Sequence, residues 1–524
     1  MSRKLVKSGI IVSVMTLISR VLGLVRDVVI ASFIGASAAA DVFFFANKIP
    51  NFLRRLFGEG AFAQAFVPVL SEYHEKDIAQ GDDSNTHTKQ LIAQVSGTLG
   101  VIVTIVTFVG VIASPILVAL FGFGWFLDWF NGGETADKFT LASALLKITF
   151  PYLWFITLTA LAGAVLNTLG KFAVAAFTPV LLNVCIISIA LVGHSWFEEP
   201  QYALAWGVFL GGVVQFLFQI PFLIRAGVLV KPLWAWNAPG VIKVRKLIIP
   251  ALFGVSVTQI NLLLDTLIAS FLITGSISWL YYADRLLEFP LGLFGIGIAT
   301  VILPSLARLH ATKNTSEFTQ TLDWGIRVIN VFGWPALAGL MVLAQPIIMV
   351  LFMRGEFTSY EVTQVSFALF AYLSGLLSFM FIKILAPGYY ARQDTKTPVK
   401  IAIKAMVANM AFNLMLAPFL GYVGLALATS MSATLNAYLL YHGLKTNSIF
   451  QLSKKTKVFI VKIVLAAGLM AAIVYWLSPE FNVWLQLTVL EQLIKLFYCI
   501  LAGVVSYFIG LILLGVRFQD FKVT

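Results

Sequence analysis

The chain has 524 residues and is strongly apolar: 59% of its residues are hydrophobic and only 11% are charged. Because soluble domains carry about 25% charged residues, this composition excludes a soluble enzyme or binding domain. Long apolar runs predict membrane-spanning helices rather than a β-barrel, which would show short alternating segments. Lys and Arg in cytoplasmic loops explain the net charge of +12, so we expect no nucleic-acid partner.

Fourteen segments are apolar and long enough to cross a bilayer, which takes about 20 residues. In chain order they are 8–34, 39–70, 91–121, 141–167, 174–193, 202–225, 247–273, 277–307, 320–345, 362–387, 398–419, 422–443, 457–477 and 488–515. With a cytoplasmic N-terminus, only Lys138 and Arg354 among the loop cations lie outside. Since cytoplasmic loops carry the excess of Lys and Arg, both termini are expected to be cytoplasmic. The predicted fold class is an all-α polytopic membrane protein with 14 transmembrane helices.

The first predicted span contains three charged residues, Arg20, Arg26 and Asp27. A charge at the bilayer centre costs about 2.5–3.5 kcal/mol on insertion scales, so these side chains are expected to line a polar cavity. Arg20 and Asp27 are seven residues apart and share a helix face. Arg26 is predicted to point about 100° away from Asp27.

The second predicted span carries a longer charged stripe. Asp41, Lys48 and Arg55 follow one another at intervals of seven residues, and Glu59 comes four residues later. These four side chains are predicted to share one face of the helix. Arg54 lies beside that stripe.

The chain repeats itself. DVVIASFI at 27–34 matches DTLIASFL at 265–272 in five of eight positions, and LFGEG at 56–60 matches LFGIG at 293–297 at nearly the same offset. The repeat predicts two pseudo-symmetric lobes of six helices, related by an axis along the membrane normal. The predicted domains are an N-lobe at 1–230, a C-lobe at 231–446 and a C-terminal pair of helices at 447–524.

The second lobe contributes its own charged residues. Arg285 and Glu288 stand at positions i and i+3, where they can pair. Asp265 is the repeat counterpart of Asp27 but has no neighbouring arginine. A lone acid within a span is either a cation or proton site or a hydrogen-bonding group between helices, and both interpretations stay open. If a cation binds, Asn413 is a candidate oxygen donor.

Together these residues predict a central cavity for a bulky, anionic substrate. Guanidinium groups bind phosphate through two parallel hydrogen bonds and stay ionised, so a pyrophosphate is a suitable ligand. The predicted substrate-binding residues are Arg20, Arg26, Lys48, Arg54, Arg55 and Arg285, with the acids Asp27, Asp41, Glu59 and Glu288 holding them in place. The alternative is that the charges only pair within a packed bundle, as Lys48 with Asp41, or reach the water at the membrane surface.

No cofactor is expected. Sodium ions or protons are the candidate coupling ions for transport. The sequence has no Gly-rich nucleotide loop, and its five His residues lack metal-ligand spacing.

Long motifs in the chain are similar to those of one known family, the MurJ (MviN) family of lipid II flippases. They are SRVLGLVRD (19–27), DVFFFANKIPNFLRRLFGEGAFAQAFVPVLSEY (41–73), LLKITFPY (145–152), YYADRLLEFP (281–290) and LAPGYYARQDTKTPVKIA (385–402). The family lies in the superfamily that also holds multidrug exporters and polysaccharide flippases. The resemblance extends over essentially the whole chain, including the two C-terminal spans.

The resemblance implies transfer of lipid II, the undecaprenyl-pyrophosphate-linked peptidoglycan precursor, from the cytoplasmic to the periplasmic leaflet of the bacterial inner membrane. It also implies that spans 13 and 14 form a groove for the lipid tail, and that Asp265 belongs to a sodium site. Implied partners are lipid II, membrane lipids and the cell wall synthesis machinery. Residues required for transport in the family match Arg20, Arg26, Asp41, Arg54, Arg285 and Glu288.

Two other functions are weighed against this one. The first is export of another polyprenyl-linked glycan or of drugs on the same fold, although four or more arginines would repel cationic drugs. The second is a membrane glycosyltransferase, which would need acids on an extracytoplasmic loop of some size. Asp128, Glu134 and Asp137 are the only candidates and lie on a short loop, so the chain is not expected to be an enzyme.

Overall fold

The computed structural model describes residues 3–56, 61–80 and 85–517, which form two compact units, Met1–Gly275 and Ser276–Thr524. Regular secondary structure in these ranges is entirely helical. The first unit contains α1 (Arg3–Ile34), α2 (Ala38–Arg54), α3 (Ala61–Ala79), α4 (Thr86–Ile112), α5 (Ser114–Phe121), α6 (Phe123–Asn131), α7 (Ala136–Thr149), α8 (Tyr152–Thr168), α9 (Phe172–Ser188), α10 (Pro200–Arg225) and α11 (Pro239–Ala269).

The second unit contains nine α-helices in its described residues. They are α12 (Ser276–Pro290), α13 (Gly297–Ala311), α14 (Thr315–Phe352), α15 (Ser359–Leu373), α16 (Leu376–Tyr390), α17 (Lys396–Thr446), α18 (Lys454–Leu477), α19 (Phe481–Gln486) and α20 (Val489–Leu513).

Ten helical stretches in the described residues are long and apolar enough to cross a membrane. They are Thr86–Ile112, Ala136–Thr168, Phe172–Gly193, Pro200–Arg225, Ser276–Ala311, Thr315–Phe352, Ser359–Tyr390, Lys396–Thr446, Lys454–Leu477 and Val489–Leu513. A helix satisfies its own backbone hydrogen bonds within lipid, which explains why apolar runs of this length take this form. The prediction of an all-helical, multi-pass membrane protein is confirmed.

Two helices are interrupted where the sequence requires it. Helix α17 breaks at Gly421, whose φ of 58° and ψ of −136° are open only to glycine at little cost. The break falls between the predicted spans 398–419 and 422–443. A π-helical turn, Leu291–Ile296, joins α12 to α13 and lies at the repeated LFGIG sequence.

In the first unit, α1 packs along α9, and α9 packs against α10. A buried cluster joins α3, α4 and α8, with Phe66, Leu91 and Leu166 fully buried. Helix α11 packs against α3 and belongs to this unit. The lobe boundary predicted after residue 230 depends on the internal repeat and stays a prediction.

In the second unit, α14 is the central helix and packs against α15, α16 and α18. Helix α18 in turn packs against α20. The carboxylate of Asp323 in α14 accepts hydrogen bonds from Ser453 and Thr456 at the start of α18. Because the first N–H groups of a helix have no partner within it, this carboxylate fixes the start of the C-terminal helix pair to α14.

Candidate functional site

Arg26 and Asp27 of α1 form a compact polar group with Asn183 of α9 in the first unit. Arg26 donates from Nε and Nη2 to Oδ1 of Asp27, at 3.0 and 2.7 Å, and from Nη1 to Oδ1 of Asn183 in α9, at 3.1 Å. Asn183 donates in turn to the backbone carbonyl of Ser19. The prediction that Arg26 points away from Asp27 is wrong for their charged groups, which are hydrogen-bonded to each other. The long, flexible side chain of Arg26 folds back towards its neighbour in sequence.

Arg20 and Arg26 differ in exposure. The side chain of Arg26 is only 15% exposed and that of Asp27 3%, whereas Arg20 is exposed. Burial in apolar surroundings makes the Arg26–Asp27 pair costly to separate. Arg26 is therefore held in a fixed orientation, and Arg20 is the more accessible of these two arginines.

Asp41, at the start of α2, is buried, and its carboxylate contacts Lys138 and Gly275. Its Oδ2 lies 3.4 Å from Nζ of Lys138 in α7 and accepts a hydrogen bond of 2.7 Å from the backbone N–H of Gly275. The ammonium of Lys138 also lies 5.4 Å from the ring centroid of Trp125, a cation–π distance. Lys138 is predicted from the sequence as an outside loop residue, but it is buried in α7.

Lys48, Arg54 and Arg55, at the C-terminal half and end of α2, each donate a hydrogen bond to a neutral group. Lys48 donates to the hydroxyl of Thr266 at 3.1 Å, and Arg55 donates to the amide of Gln259 at 3.4 Å. Arg54 donates to the side chain of Asn51 at 3.1 Å, within the same helix. Lys48 and Asp41, which the alternative interpretation pairs with each other, each contact another group as well: Lys48 donates to Thr266, and Asp41 contacts Lys138. The predicted site residue Glu59 lies outside the described residues.

The predicted substrate-binding residues of the second unit, Arg285 and Glu288, both lie on α12. Arg285 donates from Nη1 to Glu288 at 3.0 Å and from Nη2 to the hydroxyl of Tyr281 at 3.1 Å. The side chains of Arg285 and Glu288 are 36% and 48% exposed. The predicted i, i+3 pair is thus present, and both of its charges remain accessible to a ligand.

The residues considered for a cation lie in different units. Asp265 in α11 accepts a hydrogen bond of 3.5 Å from the amide of Asn261. Asn413 in α17 is buried and donates to Asn409 at 3.0 Å, which in turn contacts Thr429. Among the described residues, no group of three His, Cys, Asp or Glu side chains could hold a metal ion. Carboxylate and amide oxygens are nevertheless suitable ligands for a hard monovalent cation. The cation site therefore stays a prediction that these contacts do not test.

Two acids of α3, Glu72 and Asp77, have lowered pKa values. Burial alone would raise the pKa of Asp77, but hydrogen bonds from Thr88 and His87 outweigh it and hold that pKa below its usual value. Hydrogen bonds from Lys243, and next from Lys76, lower the pKa of Glu72. Asp77 thereby supplies acceptors to N–H groups in the first turn of α4.

Two partners of the predicted site residues were missed at the level of sequence. Asn183 is an amide within an apolar span, and this rarity in lipid is a signal that could have identified it. Lys138 gave no such signal, because a lysine near the end of a span usually extends to water. Its burial depends on Asp41, which is 97 residues away in the chain.

Comparison with known proteins agrees with this architecture. The family model described as "Lipid II flippase MurJ" matches residues 30–495. A protein of Vibrio cholerae called "Probable lipid II flippase MurJ" is 62% identical over 521 residues, covering 99% of this chain and 98% of that protein. A Haemophilus influenzae protein with the same name is 61% identical, covering 96% of this chain and 98% of its own.

Solved structures show the same fold. "Lipid II flippase MurJ, inward closed conformation" superposes with a TM-score of 0.79 at 28% identity, covering 96% of this chain and 98% of that one. An inward-facing multidrug transporter of the MATE family, 14% identical, superposes with a TM-score of 0.66 over 84% of this chain and 98% of its own; this likeness concerns the fold alone. With a family model that spans most of its length and relatives above 60% identity, the chain belongs to the MurJ family of lipid II flippases, which are transporters and not enzymes.

Proposed function

We propose that the chain transfers lipid II from the cytoplasmic to the periplasmic leaflet of the bacterial inner membrane, by alternating access through a cationic central cavity. The observation that carries the proposal is the family membership together with arginines placed on apolar helices. Arg26 is held by Asp27 and Asn183, and Arg285 by Glu288 and Tyr281. A pyrophosphate is the part of lipid II that such arginines would bind.

We propose 14 spans with both termini in the cytoplasm. Ten apolar helical stretches are the starting count, and the break at Gly421 turns the longest of them into two. Helix α1, helix α11 and the α2–α3 pair are the other three, because α1 and α11 have 32 and 31 residues, more than the roughly 20 needed to cross. The excess of Lys and Arg in the connections assigned to the cytoplasm supports the orientation.

The acids have a definite task in this mechanism. An empty cavity lined only by arginines would repel itself and destabilise the protein, whereas paired carboxylates reduce that cost. Glu288 is nearly half exposed, so a phosphate can approach Arg285 from the side that the carboxylate leaves open. Charge-assisted hydrogen bonds from both terminal nitrogens of the guanidinium would then fix the head group.

The membrane potential supplies a direction. An inside-negative potential favours outward movement of anionic charge by about 2.3 kcal/mol per charge per 100 mV, and it favours inward return of an empty, cationic cavity. A sodium ion or proton at Asp265, whose nearby amide is Asn261, would add a second driving force, with Asn413 as a further candidate donor. Unchanged transport in vesicles after both gradients are collapsed would contradict this coupling.

The test is the leaflet distribution of lipid II in cells whose only copy is Arg20→Ala or Arg285→Ala, at equal expression. An external probe of the exposed head group reports the periplasmic fraction. We expect lipid II to accumulate on the cytoplasmic side in both variants. Arg308→Ala, which changes an exposed arginine at the end of α13, is the matched control and should behave as the parent.

The same strains separate the competing functions. Normal externalisation in both variants would make these arginines structural and would overturn the proposed site. Normal lipid II distribution together with loss of another polyprenyl-linked glycan, or increased sensitivity to cationic drugs, would instead support an exporter of those substrates.

A further inference from the structure

An apolar groove lies within the first unit, away from the charged residues described above. Helices α4, α8 and α10 form its walls, and its volume is about 690 Å³, within the range of pockets that hold small ligands. Val101 of α4, Leu158 of α8 and Phe216 of α10 are among its lining residues. Val101 is 41% exposed, so the groove is open along α4 rather than enclosed.

One end of the groove is formed by the connection between α10 and α11, residues 226–238, here called the strap. Its Leu229 and Trp234 line the groove. The strap is fixed to α4 because the N–H of Leu233 donates to the carbonyl of Ala93 at 2.8 Å. A Cβ on Gly97 would lie 2.3 Å from the backbone of Leu233, so only glycine permits this approach. The groove end is therefore built by backbone contacts and keeps a defined shape.

A cation stands next to the strap. Trp234 stacks on Trp236 with ring centroids 6.0 Å apart, and the guanidinium carbon of Arg245 lies 4.2 Å from the centroid of Trp236. The Nη1 atom of Arg245 is buried and has no hydrogen-bond acceptor within the described part of the chain. A buried donor of this kind costs free energy until an acceptor is supplied. Lys231, on the strap itself, is exposed and adds a second positive charge.

We infer that this groove binds one acyl chain of an anionic phospholipid, with the lipid phosphate accepting hydrogen bonds from Arg245. The occupant follows from the two ends of the site: an apolar channel without a charged lining residue suits a hydrocarbon chain, and the guanidinium beyond the tryptophan pair suits a phosphate. A bound lipid would thereby hold the strap, and with it the start of α11, against α4.

The test measures lipid binding to the purified full chain by native mass spectrometry in a neutral detergent. The probes are phosphatidylglycerol and phosphatidylethanolamine with the same palmitoyl and oleoyl chains. We expect the parent to bind phosphatidylglycerol about tenfold more tightly, equivalent to about 1.4 kcal/mol. In Arg245→Gln the two affinities should agree within about twofold. Both lipids carry a phosphate, but the ammonium of phosphatidylethanolamine offsets its charge, so the preference for the net-anionic lipid depends on the positive charge of Arg245.

A second variant blocks the groove itself. A Cβ on Gly100 of α4 would meet no atom within 4 Å, so Gly100→Phe places its ring into the groove, and Gly100→Ala is the matched control. Phosphatidylglycerol affinity should fall about tenfold in Gly100→Phe and stay within about twofold in Gly100→Ala. If Gly100→Phe does not fold, Ile105→Trp blocks the same groove from a lining position that is 57% exposed.

Three results would overturn the inference. The parent could bind both phospholipids equally, which would make the groove an ordinary lipid contact. The groove-blocking variant could bind phosphatidylglycerol as the parent does. Undecaprenyl phosphate could displace phosphatidylglycerol from the parent and lose its own binding in Gly100→Phe, in which case the groove holds the polyprenyl chain. None of these measurements depends on lipid II transport, so the proposed function is tested separately.

Discussion

The buried ion pair between Lys138 and Asp41 gives a prediction whose size can be worked from the structure. The two side chains are 7% and 2% exposed, and their charged atoms are 3.4 Å apart. At an effective dielectric constant of about 20, this distance corresponds to an attraction of about 5 kcal/mol before desolvation. In Lys138→Met the side chain keeps the length of its apolar stem but loses the charge, so Asp41 stays buried without the ammonium of Lys138.

Removing one partner of a buried ion pair typically costs about 3–5 kcal/mol. Asp41 keeps the hydrogen bond from the backbone N–H of Gly275, so we expect the lower end, a loss of about 3 kcal/mol in the free energy of unfolding. In the double variant Asp41→Asn with Lys138→Met, more than half of this loss should be recovered because no uncompensated charge remains.

The measurement is reversible unfolding in mixed micelles of a neutral detergent and sodium dodecyl sulfate. Lys147→Met is the matched control, because Lys147 is an exposed lysine on the same helix. The reasoning is refuted if Lys138→Met lowers the free energy of unfolding no more than Lys147→Met does, or if the double variant is less stable than Lys138→Met alone.

Three further outcomes are expected. Asp77→Asn should speed amide exchange in the first turn of α4 at neutral pH, equivalent to a loss of about 1 kcal/mol in the stability of that turn. Because the carboxyl has a pKa lowered from 3.8, its contribution is complete above about pH 4 and is lost as the pH falls through the lowered pKa. Equal exchange rates in the parent and in Asp77→Asn at neutral pH would contradict this role. Asn183→Leu removes a hydrogen-bond acceptor of Arg26 and should slow lipid II externalisation about tenfold, equivalent to about 1.5 kcal/mol. Asn183→Asp keeps an acceptor and should retain most of the rate. If the Leu variant transported lipid II at the parental rate, this contact would be dispensable. Gly97→Ala forces the backbone of Leu233 to move and should lower the free energy of unfolding by about 1–3 kcal/mol. Amide exchange in the strap should become faster. An unchanged exchange rate there would show that the close approach is not required.

Much of the fold could be predicted from hydropathy. Apolar runs identified the helices, and the predicted boundary between spans 398–419 and 422–443 coincides with the break at Gly421. The pair of Arg285 with Glu288 was also predictable, because residues at i and i+3 of a helix are neighbours. Such contacts are local, and the helical repeat alone decides them.

Contacts between distant helices could not be predicted in the same way. Lys138 was expected in an outside loop and is instead buried against Asp41. Arg26 was expected to diverge from Asp27, but its guanidinium folds back to that carboxylate and reaches Asn183. In both cases a long side chain has several rotamers. The partner that selects one of them is either a residue distant in sequence or the adjacent residue.

The sequence by itself determined that this protein is a helical, multi-pass membrane protein with arginines and acids placed within its apolar spans. It did so because lipid requires every backbone polar group to be satisfied locally, which makes the pattern of a single segment sufficient. Only the tertiary structure decided which neighbour each charged side chain contacts. It also formed the apolar groove that has residues 226–238 at one end. Those features depend on how each helix is rotated against helices far away in sequence, and that rotation is set by packing rather than by the periodicity of any one segment.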